Sequence, residues 1–250
     1  MKFLVLLCLS MGNLLPVFPQ TAEALLQEAQ RLESIPNEQA ALNKYKEVLL
    51  KDGKNIIALS KCSQLYSRIG ARQKNTAERD KLYAQALSYA NQALALDANH
   101  DEANVSKAIV LGKSSLAKSG KEKIKSVKEI KKHVDIALKS NPNNYLAWHV
   151  LGRWNYEVSN VSALERAAAK VFYDALPKAS LSNAIMYMEK SRTLNPLFIL
   201  NLYELARSYD KNDQREKAKE ILNSIEKIPV GTDDDPNIKL EAKKLLKSWS

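Results

Sequence analysis

The 250-residue chain is poor in residues that break or cross-link structure: it has two cysteines, seven glycines and eight prolines. Cys8 lies at the very start, so a chain trimmed at its N-terminus keeps only Cys62 and can form no internal disulfide. Its stability must then come from a packed core. The glycines are scattered, and neither a Walker loop nor G-x-G-x-x-G nor G-x-S-x-G is present, which removes the usual nucleotide and hydrolase signatures. His100, His133 and His149 show no ligand spacing with one another, with a cysteine or with an acid. No metal, cofactor or catalytic centre is expected, and Cys62 reads as a small buried thiol. Aromatics at 7% disfavour an all-β sandwich. No apolar run reaches the roughly 20 residues that a membrane-spanning helix needs. What is abundant is alanine, leucine, lysine and glutamate, which favour helices. The net charge is +10, from 38 basic and 28 acidic side chains.

Met1-Lys2 and the apolar stretch Phe3 to Leu9 lead into a polar, proline-interrupted segment. Residues 1–20 read as a secretory signal peptide, so the protein is expected to be exported, periplasmic or extracellular, with no stable membrane span after the signal is removed. Cys8 follows Leu7 rather than a small residue, so it reads as part of the apolar run and not as a lipid acceptor. Residues 21–250 are then one repeat domain.

From Thr21 onward the pattern is almost continuously helical, with breaks at Pro36-Asn37, Gly53, Ala98-Asn99, Gly120, Asn141-Pro142, Asn195-Pro196 and 229–236. Ile130, Val134, Ala137 and Pro142, followed by Trp148, Leu151 and Gly152, carry the offsets of a tetratricopeptide helical hairpin. Two antiparallel helices approach closely only where small residues face each other, and larger ones fill the gaps between hairpins. The equivalent first-helix positions are Leu25, Leu59, Asn104, Trp148 and Leu202, with spacings of 34, 45, 44 and 54 residues. The first spacing is the standard period, and the others carry insertions of about 11, 10 and 20 residues. The insertions at 71–81 and 115–122 are polar and lysine-rich, as longer helices or solvated connections would be. The third, 161–180, places Leu164, Ala167, Ala168, Val171 and Phe172 at helical spacing and is expected to be an additional packed helix. A last helix at 235–249 is expected to close the array, with Asp235 as N-cap, Pro236 in the first helical position, Asp233 and Asp234 at the positive end of its dipole, and Trp249 packed on the final hairpin. The acidic triplet lacks the alternating spacing of a calcium loop. The fold class is therefore all-α: a right-handed α-solenoid of about five hairpins, with an inserted helix and a C-terminal cap.

The stretch Leu151-Gly152-Arg153-Trp154-Asn155-Tyr156-Glu157-Val158, then Leu164-Glu165-Arg166, the alanine-rich run to Phe172, Leu176-Pro177 and 184–196, resembles the regulator of microtubule dynamics family. The resemblance implies a tetratricopeptide-like domain with an inserted helix, here in a bacterial-type, exported member. Animal members of that family are linked to microtubules, mitochondria and membrane contact sites, and one has a lipid-binding repeat domain.

Two groups of residues are candidates for contact with a partner. Arg153, Trp154 and Tyr156, with Glu157, Glu165 and Arg166, either form a network that locks the insertion in place or line a groove that the insertion roofs, where a peptide or lipid headgroup would bind. The eight lysines between 118 and 139 face only Glu122, Glu129 and Asp135. The apolar stripe Ile124, Val127, Ile130, Val134 and Ala137 turns Lys125, Lys128 and Lys132 outward, as a solvated face or as an attraction for acidic lipid or an acidic partner. No nucleic-acid partner is expected, because neither interleaved exposed aromatics nor a reading helix is visible. The functional expectation is a non-catalytic protein-binding scaffold or adaptor using the concave repeat surface. The alternatives are a lipid or small-ligand carrier with a cavity beneath the insertion, and a microtubule-associated regulator by resemblance.

Overall fold

Short polar side chains set the helix starts. Thr21, Asn37, Asn55, Asn75, Asn144, Ser162 and Ser180 each precede a helix and accept a hydrogen bond from the backbone N–H three residues on. The computed structural model describes residues 21–115, 119–173 and 175–249. Its elements are α1 (Ala22–Glu33), α2 (Glu38–Lys51), α3 (Ile56–Ala71), α4 (Thr76–Leu96), α5 (Asp101–Ser114), α6 (Gly120–Ser140), α7 (Tyr145–Ser159), α8 (Ala163–Phe172), α9 (Leu181–Leu194), α10 (Ile199–Lys211), α11 (Arg215–Ile225) and α12 (Asp235–Ser248). The expected leader, 1–20, and Lys118 lie outside the described residues.

Helices α1 and α2, α3 and α4, α5 and α6, α7 and α9, and α10 and α11 pair as hairpins. Contacts of α2 with α3, α4 with α5, α6 with α7 and α9 with α10 stack each hairpin on the next. The result is the all-α solenoid of five hairpins, with α8 inserted in the fourth and α12 lying on α10 and α11. The first two insertions lengthen second helices, since α4 and α6 have 21 residues each.

Small residues hold the pairs together. Ala86, Ala90 and Ala93 on α4, Ala137 on α6, Ala184 on α9 and Ala206 on α10 are wholly buried. Gly152 is the tightest of these positions: a Cβ added there would lie 2.5 Å from Met188 Cγ and 3.2 Å from Ala184 O on α9. Trp249 packs into the last core cluster, with the Arg215 guanidinium 5.4 Å from its ring centroid.

Two expectations need correction. Helix α8 forms where expected, started by a Ser162–Glu165 capping box, but its apolar stripe is not packed. Leu164, Val171 and Phe172 are 81%, 75% and 74% exposed, and Ala169 is the buried residue of the helix. The anchoring comes from the opposite side, where Arg166 Nη2 donates to Val158 O at 2.8 Å. At α12, Asp235 is the first helical residue rather than the cap. Its carboxylate turns back to accept from the N–H groups of Gly231 (2.9 Å) and Thr232 (2.8 Å), which a helical residue can do because the preceding turn points its amides toward it. Asp233 and Asp234 are engaged with Arg72 instead.

Candidate interaction surface

In stacked helical hairpins the first helices form the inner wall. Here α3, α5, α7 and α10 are joined along that wall by polar side chains. Gln64 donates to Glu102 (2.9 Å) and Ser106 (3.0 Å), linking α3 to α5. His149 Nδ1 lies 3.0 Å from Asn201 Oδ1, and Arg153 lies 3.6 Å from Glu204, linking α7 to α10. Asn201 Nδ2 is already given to Met188 O, so its Oδ1 accepts and His149 carries a proton on Nδ1. Burial, reinforced by the charge of Arg153, lowers His149 to about 3 and keeps it neutral.

The wall ends in a dense ionic cluster. Glu38, 2% exposed at the start of α2, receives Arg72 at 2.6 Å, while Arg68 Nε stands 3.1 Å from its other oxygen as an ion pair without hydrogen-bond alignment. Arg72 also reaches Asp234 at 3.0 Å and Asp233 at 3.5 Å, and Asp233 accepts from Glu38 N at 3.4 Å. The loop before α12 thus crosses to the first two hairpins. Half-buried Lys113, at the end of α5, looks into this cluster and has no ion-pair partner among the described residues. Burial first, and then the charge of Arg153, push its ammonium below the ordinary lysine range, with Arg68 and Arg72 adding to the effect and Asp234 opposing it.

The sequence-derived candidates are not one site. Arg153 is half exposed on the inner wall and pairs with Glu157 (3.4 Å) as well as Glu204. Trp154 is 5% exposed and its indole N–H donates to Val127 O at 2.8 Å, fixing α7 against α6, which places it as a packing residue. Tyr156 points to α10, where Arg207 and Lys211 each lie 5.7 Å from its ring centroid. On α6, Lys125 and Lys132 are exposed and Lys128 is half buried, while the stripe residues Ile124, Ile130, Val134 and Ala137 are buried. Cys62 is buried and its thiol is pushed up to about 12 by burial, which removes the thiolate a nucleophile needs. A cleft of about 540 Å³ lies between α2, α3 and α4, against the stacked rings of Tyr66 and Tyr89, remote from the insertion.

Residues 25–250 match the family described as Regulator of microtubule dynamics protein 1-3. The chain belongs to this family. Its relatives include Regulator of microtubule dynamics protein 1 of Caenorhabditis elegans, 28% identical over 185 residues that cover 74% of this chain and 80% of that protein. The Bos taurus protein of the same name is 30% identical over 187 residues, covering 74% of this chain and 59% of the relative, so the match spans little more than half of that longer protein. Among solved structures, a thermophilic TPR protein of Thermus thermophilus superposes with a TM-score of 0.65 at 13% identity, covering 91% of this chain and all of the other. That likeness shows the tetratricopeptide fold.

The cationic end of the inner wall was not anticipated from sequence. The i, i+4 pair Arg68 and Arg72 was the available signal, but nothing local to it pointed to Asp233 and Asp234.

Proposed function

We propose that the protein is a non-catalytic scaffold whose inner wall holds an extended segment of a partner protein, with an acidic side chain or terminal carboxylate of that segment meeting Lys113. The observation that carries this reading is the unpaired ammonium of Lys113 in a cluster whose arginines are all engaged by carboxylates. A half-buried unpaired cation is costly, and an incoming anion offsets that cost. Fluorescence polarisation against acidic and neutral extended peptides tests it. Acidic peptides should bind, and Lys113→Met should weaken them by at least about tenfold while raising the melting temperature, because an unpaired charge is removed. Equal binding by Lys113→Met, or no peptide bound, overturns the reading.

Family membership supports a second reading, in which the chain acts on microtubules. The exposed lysines of α6 would then meet an acidic polymer surface, and co-sedimentation with microtubules should be lost in a Lys125→Glu/Lys132→Glu variant. A third point concerns location: the leader-like residues 1–20 support export to a periplasmic or extracellular compartment, which would remove the chain from cytosolic microtubules. N-terminal sequencing of the mature protein separates the two, since a cleaved leader sustains export and an intact one removes its support.

A further inference from the structure

Helix α8 presents an apolar face to solvent beside the lysine-rich start of α6. Leu164, Ala168 and Val171 recur at i, i+4 and i+7, with Phe172 next to them, so they share one side of the helix. The opposite side is fastened to the body through Ala169 and through Arg166, which donates to Val158 O and Pro177 O. This fastening aims the apolar side outward, and Tyr173 extends it, itself 51% exposed. Helices α6 and α8 touch. A Cβ built at Gly120 would be 3.1 Å from the Tyr173 hydroxyl, and Lys123 acts electrostatically on Glu165, so the start of α6 runs alongside α8. Lys121, Lys123 and Lys125 are exposed on that stretch, with Lys123 on the side of Glu165 and the other two, at i−2 and i+2, on the opposite side of α6.

An apolar ridge flanked by lysines is the combination an anionic bilayer surface recognises: the ridge enters the headgroup and acyl boundary while the ammonium groups meet lipid phosphates. A second copy of the chain fits less well, because an isologous contact through this ridge would bring the two lysine-rich starts of α6 toward each other. We propose that α8 and the adjoining start of α6 form a docking surface for an anionic lipid bilayer, with Leu164, Val171 and Phe172 inserting and Lys123 contacting headgroups. This inference is independent of the inner-wall reading, because it uses none of the same residues.

Flotation of the full chain with two kinds of vesicle tests it: pure phosphatidylcholine, and equimolar phosphatidylcholine and phosphatidylglycerol. The chain should float with the anionic vesicles and not with the neutral ones. Val171→Ser/Phe172→Ser should weaken that binding by at least about tenfold, and Lys123→Glu by about fivefold or more. All these positions are exposed, so melting temperatures should stay unchanged, which separates lost docking from lost folding. Vesicle binding indifferent to the Val171 and Phe172 substitutions overturns the proposal, as does equal binding to neutral vesicles. So does sedimentation equilibrium showing a dimer that the serine variant dissolves, with no vesicle binding by either form.

Discussion

Arg72 and Asp234 are separated by 162 positions in the chain and by 3.0 Å in space. The pair joins the end of α3 to the loop before α12, and its two members differ in what they leave behind when removed. Asp234 is partly exposed, so Asp234→Ala should cost under about 1 kcal/mol. Arg72→Ala also strips the shorter of two contacts from buried Glu38 and should cost about 2 kcal/mol. Chemical denaturation of both single variants and the double variant measures the difference and the coupling. Equal costs for the two single variants would refute the asymmetry.

Gly152→Ala places a methyl group against Met188 and the α9 backbone. Met188 is itself fully buried and has little room to yield. Overpacking of this kind should destabilise the protein by about 2–3 kcal/mol, read as a lower denaturant midpoint at unchanged slope.

Trp154 tests whether its role is structural. Trp154→Phe keeps most of the packing and loses the bond to Val127 O, so it should cost about 1 kcal/mol. Trp154→Ala should cost about 3–5 kcal/mol. A stable alanine variant would refute the packing role.

His149 gives the fold a specific acid sensitivity. Its folded pKa is about 3 against 6.5 unfolded, so between those values the unfolded chain binds a proton that the folded chain refuses. Stability from this residue is therefore complete above the unfolded value and declines as pH falls toward the folded one, by about 2 kcal/mol at about pH 5. Melting temperatures measured across that window should fall in the parent protein and fall less in His149→Gln. Identical profiles would exclude His149 as the source.

The hairpins were legible because their information is local. Small residues such as Ala137, Gly152 and Ala206 recur at fixed offsets, and helix starts are marked by residues such as Asn55 and Asn144 whose side-chain oxygens accept from the amide three residues on. The orientation of α8 was not legible: periodicity locates an apolar stripe at Leu164, Ala168 and Val171 but contains nothing about which side is covered. Here Arg166 decides it by bonding to Val158 O. The inner-wall cluster was hidden for a different reason. Asp233 and Asp234 sit beside Pro236, where a local cap explains them well, and their encounter with Arg72 depends on rotations summed over eight intervening helices.

The bridge from the α12 loop to α2 and α3 also determines how many repeats the array can hold. A solenoid with free ends tolerates duplication of a hairpin, since each unit touches only its neighbours. Here the end of the chain is committed to the beginning, so a sixth hairpin would carry Asp233 and Asp234 past Arg72 and Glu38 and leave the buried carboxylate short of its counter-charge. The contact acts as a ruler, tying the length of the array to its curvature.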